Sequence, residues 1–414
     1  LEGEHKQLSE PEVRTVYEGK TAALLTTALR FGGMSANATE SQLEALTDFG
    51  YNLGLAFQVI DDILDLTAST EKLGKTAGKD VNSQKSTCPA LIGLDGARSE
   101  AKCRTQAALD ALMIFPEERR ARLVELANYL LNVSDNVETL INLALAEDFG
   151  SGDVTSTYFV PEHLTARAIL TPRKKGVLSG VNVAAEVFRK VDPTLKVEVY
   201  LHDGEAVAPG AVVMLIEGAA RSILGAERTA LNFIQRLSGV ATLTRQYVKA
   251  VSHTSARILD TRKTTPGYRL LEKAAVLHGG GTNHRMGLYD RAMVKDNHLM
   301  TDGNTEHLQE CINRLRQEKP GVEIQLEADT LEQVGNFLKL EGVDHILLDN
   351  MTPEMLKQAV AMRGGRTTPL LEASGGVHLD TVAAIAESGV DFVSVGYVTH
   401  SAPSLDLGLD FSVE

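Results

Sequence analysis

The sequence has no tryptophan, few cysteines and no apolar run long enough to cross a membrane. Its 414 residues include no Trp and three Cys. Apolar runs such as 53–60 are far shorter than the ~20 residues that a bilayer requires. An odd number of Cys without a Cys-x-x-Cys pair argues against a disulfide scaffold and against a zinc site. Because the first residues also do not predict a secretion signal, we expect a cytoplasmic protein without a membrane partner.

Basic residues are outnumbered as well. The chain has 41 Lys and Arg against 55 Asp and Glu, which gives a formal net charge of −14. Such a chain repels polyanions, so we expect no nucleic-acid partner. Binding of a small anion would need a local basic pocket. Residues 257–298 are the place for one, because they carry eight Arg and Lys against four Asp and Glu.

Three kinds of pattern divide the chain. Residues 1–135 show only the three- and four-residue apolar spacing of helices, which predicts an all-α segment. Residues 136–250 combine a helix predicted over 137–147 with strand-like segments and a long helical stretch. From 251 to 402, short apolar runs alternate with helical stretches, which is typical of parallel βα units. We therefore expect a multidomain chain, in which residues 403–414 return to the middle domain.

The last domain contains six predicted strands, and each of them ends in polar residues or glycine. The strands are predicted over 257–260, 292–295, 322–327, 345–349, 370–373 and 392–396. In βα barrels the carboxyl ends of the strands together form the active site, so these strand-end residues should converge. Each of these residues taken alone could be no more than a helix cap. Helix capping does not easily explain why all six strands end in this way. The pattern predicts an α/β barrel with its site at the strand ends.

Cationic residues near these strand ends indicate an anionic ligand. Arg262 and Lys263 follow the first strand, and His284 and Arg285 precede the second. Arg offers a planar fork that fits a carboxylate, and Lys offers a point charge. This combination predicts a pocket for a small, carboxylate-rich molecule.

Two acidic residues and several glycines complete the predicted site. Glu327 and Asp349 are hard oxygen ligands suited to Mg²⁺, which usually also binds substrate phosphates. The ends of the last two strands are where barrels commonly bind a phosphate through backbone N–H groups. The residues there are Ser374, Gly375, Gly376 and Gly396.

Residues 138–414 resemble the quinolinate phosphoribosyltransferase family, whose members are also named carboxylating nicotinate-nucleotide diphosphorylases. The motifs that carry the resemblance span the length of that family, in order. They are Leu-Ala-Leu-Ala-Glu-Asp at 143–148, Glu-Arg-Thr-Ala-Leu-Asn at 227–232, Asp-Thr-Arg-Lys-Thr at 260–264, Asn-His-Arg at 283–285, Lys-Asp-Asn-His at 295–298, Ser-Gly-Gly at 374–376 and Thr-His-Ser at 399–401.

The resemblance implies an α/β sandwich followed by an incomplete, TIM-like α/β barrel, assembled at least as a homodimer. It implies that quinolinate and phosphoribosyl pyrophosphate react to nicotinate mononucleotide, pyrophosphate and CO2, with Mg²⁺ on the pyrophosphate. Arg228 falls on a position that reaches into the neighbouring subunit's site. The positions implied to line the substrate pocket are Arg262, Lys263, His284, Arg285, Lys295, Glu327 and Asp349. A catalytic role is expected for Lys263, Lys295, Glu327 and Asp349.

A separate aspartate motif lies in the all-α segment. Asp61 and Asp65 are four residues apart, so on a helix they share a face and could jointly bind Mg²⁺. The segment resembles the C-terminal half of trans-polyprenyl diphosphate synthases, through Phe-Gln at 57–58, Asp-Asp-Ile-Leu-Asp at 61–65 and Lys-Asp at 79–80. By that resemblance, Asp61, Asp62 and Asp65 would all bind Mg²⁺.

The first aspartate-rich motif of the prenyl synthases is missing from the chain, so this segment alone should not elongate prenyl chains. Three interpretations are open. The segment is an inactive partial synthase, or part of a bifunctional fusion in which prenyl elongation is also real, or a non-catalytic interaction module. Position 1 is Leu and not Met, which indicates either processing or a fragment.

Overall fold

The computed structural model of the chain describes residues 10–69, 88–295 and 305–413. Helices alone form the amino-terminal part, and the rest consists of β-sheets with flanking helices. Within the described ranges, no helix is both long and apolar enough to cross a bilayer.

In the described residues of the amino-terminal part, five α-helices enclose two small apolar cores, with a short π-helix at Glu18–Ala22 and a 3-10 turn at Leu112–Ile114. The α-helices are α1 (Glu10–Tyr17), α2 (Ala23–Ser35), α3 (Glu40–Ser69), α4 (Cys88–Ala111) and α5 (Glu117–Phe149). One core contains Phe49 and Leu53 of α3 with Leu112, and the other lies between α1, α3 and α4. Gly54 allows α3 to approach the chain just before α2, because a Cβ at this position would lie 2.4 Å from the Ala22 Cα atom.

Helix α5 continues from the all-α segment into the next part of the chain. It has 33 residues and runs through 134–136, where the sequence predicts a break before a separate helix over 137–147. Ser, Asp and Asn each disfavour a helix by less than about 1 kcal/mol, and neither Gly nor Pro occurs between 117 and 149. The predicted boundary between 135 and 136 therefore lies inside a helix, which ends at Gly150.

An antiparallel sheet of four strands, in the order β12-β1-β5-β3, forms the first α/β part. The strands and helices here are α6 (Val154–Phe159), β1 (Thr165–Pro172), β2 (Gly176–Val177), α7 (Val181–Val191), β3 (Lys196–Val199), β4 (Ala206–Val207), β5 (Met214–Ala219), α8 (Ala220–Ala250) and β12 (Leu407–Val413). Buried side chains of β1, such as Leu170, belong to the same core as Phe188 of α7. Because β12 pairs with β1, the end of the chain packs into this sheet.

Six parallel strands form the second large sheet, in the order β6-β11-β10-β9-β8-β7. The strands are β6 (Arg257–Leu259), β7 (Arg291–Val294), β8 (Glu323–Ala328), β9 (His345–Asp349), β10 (Leu370–Ser374) and β11 (Phe392–Ser394). The helices between and after them are α9 (Arg269–His278), α10 (Thr305–Glu318), α11 (Leu331–Phe337), α12 (Pro353–Arg363), α13 (Val382–Ala386) and α14 (Tyr397–His400). All six predicted strands are present, with ends shifted by at most two residues.

The register of this sheet brings the strand ends to one edge. Ser374 pairs with Asp349, and Glu327 pairs with Leu347. Strand β9 is buried at every position except its last, as expected for a parallel strand covered on both faces. The apolar strands thus form the core, and the polar residues that end them lie side by side.

Candidate active site

A cavity of about 420 Å³ opens at the carboxyl edge of the six-stranded sheet. All six strands contribute to its wall, through their last residues or the residues that follow them. The predicted site residues on this wall are Arg262, Lys263, His284, Arg285, Lys295, Glu327, Asp349, Ser374, Gly375, Gly376 and Gly396. The structure therefore brings these strand-end residues together.

Several cationic side chains line the cavity. Burial, and next the neighbouring charge of Arg262, lower the pKa of Arg285. The Arg262 Nε atom is buried and has no hydrogen-bond partner among the described residues. Because guanidinium groups pair well with carboxylates and phosphates, Arg262 and Arg285 make this wall suited to an anionic ligand.

Two carboxylates stand at the ends of the adjacent strands β8 and β9. Glu327 forms an ion pair with Lys295, and Asp349 Oδ2 accepts a hydrogen bond from Asn350 Nδ2 at 2.7 Å. In the described parts of the chain, no group of three or more His, Cys, Asp or Glu could hold a metal ion. Two carboxylates nevertheless fit an ion that a substrate brings with it, because Mg²⁺ commonly binds one or two carboxylates together with substrate phosphates.

Gly375 and Gly376 form a tight turn directly after β10. Their φ angles are +90° and +59°, in the left-handed region that favours glycine. A Cβ at position 375 would lie 2.1 Å from Asn350 Oδ1, so a larger residue does not fit without movement of the turn. Consecutive backbone N–H groups in such turns form concave sites for anions. The geometry is thus suited to a phosphate.

Gly396 lies between β11 and the short helix α14, close to the loop that follows β6. A Cβ there would lie 3.2 Å from Lys263 Cδ and 3.3 Å from His400 Nε2. The Thr399 hydroxyl donates to the Lys263 carbonyl at 2.8 Å and so ties the two segments together. The absence of a side chain at 396 leaves room for Lys263 along the cavity wall.

A buried ion pair behind the cavity joins the two basic segments. Asp260 Oδ1 lies 2.5 Å from Lys273 Nζ, and both side chains are almost completely buried. Asp260 Oδ1 also accepts the His284 N–H at 2.7 Å, while Lys273 Nζ donates to the His284 carbonyl at 3.0 Å. Burial raises the pKa of Asp260 and lowers that of Lys273, and the opposite charge of the partner counteracts each shift. The pair fixes the position of His284 relative to the end of β6.

Several residues of the cavity wall have no predicted role. Glu372 lies on β10 at the level of Glu327, since Leu347 of β9 pairs with both residues, and it lines the cavity. Tyr397 also lines the cavity, and its ring is edge-on to those of His378 and His400, with centroids 5.9 and 5.8 Å apart. His400 lies in the Thr-His-Ser motif, three residues after Tyr397, whereas His378 meets Tyr397 only because β10 and β11 lie side by side.

Among the described side chains, two predicted site residues, Arg228 and Asp62, do not line this cavity. Arg228 is exposed on α8, and its role in a neighbouring subunit stays a prediction. Asp62 is buried in the helical part, where its Oδ2 accepts from the Tyr17 hydroxyl and, at 3.3 Å, from the Cys88 N–H. The side chains of Asp61 and Asp65 lie outside the described residues, as do residues 70–87 and 296–304. Mg²⁺ binding by the aspartate motif therefore stays a prediction.

Family models match three stretches of the chain. The model described as quinolinate phosphoribosyl transferase, N-terminal domain, matches residues 153–238, and the C-terminal domain of the same family matches residues 240–410. Residues 1–126 match the model described as polyprenyl synthetase. These stretches agree with the two resemblances that the sequence motifs indicate.

Curated relatives and solved structures each match about two thirds of the chain in the following cases. The chloroplastic nicotinate-nucleotide pyrophosphorylase (carboxylating) of Oryza sativa subsp. japonica is 41% identical over 295 residues, which cover 67% of this chain and 78% of the rice protein. The probable nicotinate-nucleotide pyrophosphorylase (carboxylating) of Bacillus subtilis is 36% identical over 277 residues, covering 67% and 94%. The structure of the nicotinate-nucleotide pyrophosphorylase from Francisella tularensis has a TM-score of 0.63 at 35% identity, covering 67% and 96%. The chain belongs to the quinolinate phosphoribosyltransferase family.

Proposed function

We propose that this chain joins quinolinate to phosphoribosyl pyrophosphate and forms nicotinate mononucleotide, pyrophosphate and CO2. One observation carries the proposal: a single cavity combines cationic side chains, two carboxylates and a glycine turn. These groups correspond to the dicarboxylate, to a Mg²⁺-bound pyrophosphate and to a phosphate. The names of the relatives in rice and Bacillus subtilis describe the same chemistry for those proteins.

The cationic side chains would balance the charge of quinolinate. A dianion enters a protein of net charge −14 only if its charges are paired there. Arg262 offers an unpartnered buried Nε, and Arg285 lies close enough for the two charges to interact. We assign both to the carboxylate that stays in the product, because cations that hold the departing carboxylate would oppose its loss.

The carboxylates would act on the ribosyl part of the reaction. Breaking of the anomeric C–O bond builds positive charge on the ribosyl ring, which Glu327 and Asp349 would stabilise. The ion pair with Lys295 orients Glu327 before substrate binds. Mg²⁺ held by these two carboxylates and the pyrophosphate would neutralise charge on the leaving group. Lys263 and the 374–376 turn would bind the phosphates.

Bond formation and decarboxylation need no covalent nucleophile from the protein. The quinolinate nitrogen attacks the anomeric carbon as pyrophosphate departs. The resulting pyridinium stabilises the electron pair left on C2 when the adjacent carboxylate leaves as CO2, and a proton then takes its place. Catalysis would therefore rest on positioning and electrostatics.

We also infer that the six-stranded sheet curves into the incomplete, TIM-like barrel. Its order, β7-β8-β9-β10-β11-β6, follows the chain from β7 to β11 and then returns to β6. Thr282, which lies between β6 and β7 in the chain, forms a parallel bridge with Leu259 of β6. The sheet therefore continues beyond β6 with the segment that leads to β7. Arg228, exposed on α8, would reach the cavity of a second copy, so we propose a homodimer with shared sites.

The direct test measures CO2 released from carboxyl-labelled quinolinate by the purified chain. Release is expected only when phosphoribosyl pyrophosphate and Mg²⁺ are both present, and nicotinate mononucleotide should form in equal amount. Arg262→Ala and Lys295→Ala should each lose most of this activity. Nearly normal product formation in both variants would contradict the proposal.

A further inference from the structure

A buried carboxylate at the cavity has no part in the reaction proposed above. Glu372, on strand β10, is 1% exposed and yet lines the cavity. Burial of a charge is costly unless partners surround it. A negative charge at this place also repels the dianion that the cavity is proposed to bind. The contacts of Glu372 must therefore explain why a carboxylate stands there.

Three side-chain donors are directed at Glu372. Gln325 Nε2 donates to Oε2 at 2.7 Å, and the Ser394 hydroxyl donates to Oε1. His284 Nε2 lies 3.4 Å from Oε2. Burial acts to raise the pKa of Glu372, but these donors, with His284 first, hold the pKa below its ordinary value. The carboxylate thus stays charged and fully surrounded.

His284 is engaged at both of its ring nitrogens. Its Nδ1 accepts the N–H of Arg285 at 2.7 Å, so Nε2, which faces Glu372, is the ring nitrogen that donates. Arg291 Nη1 approaches the same Nε2 at 3.5 Å, but Arg291 has a carboxylate partner of its own, with Nη2 2.5 Å from Glu323 Oε2. Both ring nitrogens of His284 therefore have partners, and the orientation of the ring is fixed.

We propose that Glu372 is a positioning residue for quinolinate: it accepts the Nε2–H of His284 and thereby holds the segment that carries Arg285. The ring then forms a fixed part of the cavity wall. The Arg285 guanidinium gains its position from this backbone and from its hydrogen bond to the Arg291 carbonyl at 2.9 Å. This inference rests on the proposed function and names which substrate the pair serves.

Glu372→Gln tests the proposal, because it keeps the size of the side chain but removes its charge and one acceptor oxygen. We expect the KM for quinolinate to rise by about 10–100-fold, as for a misplaced binding group. The KM for phosphoribosyl pyrophosphate should stay nearly unchanged. Ser394→Ala is the matched milder variant, since it removes one donor to Glu372 and leaves the contact with His284; its effect on quinolinate should be smaller.

A double-mutant cycle shows whether Glu372 acts through His284. In a His284→Ala background, Glu372→Gln should add little to the KM for quinolinate, because the contact is already lost. Additive effects, or equal changes in the KM of both substrates, would overturn the proposal. If Glu372→Gln does not fold, the same cycle is run with Ser394→Ala, whose smaller effect must also vanish without His284.

The wild-type chain in the same assay separates this inference from the proposed function. If wild type forms no nicotinate mononucleotide, the proposed function fails and this inference fails with it. If wild type is active and Glu372→Gln binds quinolinate normally, only the positioning role is overturned.

Discussion

Lys295 and Glu327 form an ion pair inside the cavity, between the ends of the neighbouring strands β7 and β8. The Glu327 side chain is 12% exposed and that of Lys295 is 43% exposed. A largely buried carboxylate next to an anionic substrate is tolerated only while a cation compensates it. The cavity therefore depends on Lys295 even before it acts on a substrate.

Lys295→Ala should lower kcat/KM by about 100-fold or more, because it leaves the charge of Glu327 uncompensated where anionic substrates bind. The assay is nicotinate mononucleotide formation. Lys339→Ala, whose Nζ donates to Asn336 on α11, is the control for loss of a lysine outside the cavity. A Lys295→Ala activity equal to that of the control would contradict the role of the pair.

The two glycines after β10 should differ in their tolerance of alanine. At Gly375 a Cβ would lie 2.1 Å from Asn350 Oδ1 and 2.8 Å from Asn350 N, so the turn must move. At Gly376 no atom lies within 4 Å, and only the cost of a positive φ, about 1–2 kcal/mol, applies. Gly375→Ala should therefore raise the KM for phosphoribosyl pyrophosphate by about tenfold or more, and Gly376→Ala much less. Equal KM values in the two variants would argue against a phosphate at this turn.

The strands, and the strand ends that form the cavity, could be predicted from the sequence, because each is marked by a few consecutive residues. Short apolar runs mark parallel strands, and a parallel sheet necessarily collects Glu327, Asp349 and Ser374 at one edge. The residues that hold this edge in place could not be predicted in the same way. Glu372 accepts a hydrogen bond from Gln325, 47 residues away in the sequence. Such pairs depend on which strands are neighbours in the sheet, and the spacing of apolar runs in the sequence does not reveal this order.

In the helical part, the aspartate motif predicts a Mg²⁺ site, but the packing of its side chains could not be predicted from the sequence. Asp62 belongs to a predicted Mg²⁺ motif, yet its side chain is buried against Tyr17 and the amino end of α4. Burial and the Asp62 contact also raise the pKa of Tyr17 strongly, so Tyr17 stays a hydrogen-bond donor. A spacing of four residues indicates a shared face but not whether that face is open to a metal.

The acid sensitivity of the chain should depend on Glu372. Its pKa in the folded protein is lowered, so its contribution to stability is present above the ordinary glutamate pKa, about 4.3, and is lost as the pH falls through the lower folded value. The melting temperatures of wild type and Glu372→Gln should therefore differ most near neutral pH and converge below about pH 4.3. Thermal melts of both proteins across this pH range provide the measurement. A difference in melting temperature that is the same at every pH would contradict the role of Glu372.

Asp260 and Lys273 form a buried ion pair, so replacing only one of the two residues should destabilise the folded protein. Lys273→Met leaves the Asp260 carboxylate buried without its cation and should cost about 3–5 kcal/mol of stability. The double variant Asp260→Asn, Lys273→Met should recover part of this loss. Arg173→Ala, which breaks the exposed pair with Asp410, is the control and should change stability little. Denaturant unfolding compares the four proteins, and a Lys273→Met variant as stable as the control would exclude the assignment.

Removal of the helical part should leave phosphoribosyl transfer intact. Every residue of the described cavity wall lies beyond position 260. A chain that begins at 136 loses the first part of α5, the packing of α3 against α7 and the ion pair of Arg98 with Glu138, but keeps that of Glu138 with Lys190. The lost pair is partly exposed and should contribute at most about 1 kcal/mol.

For the truncated chain, we expect kcat and both KM values close to those of the full chain. An unchanged oligomeric state, measured by light scattering, would count against an assembly role for the helical segment. Dissociation of the oligomer together with loss of activity would instead favour the interaction module, because a site that uses Arg228 of a second copy fails when the copies separate.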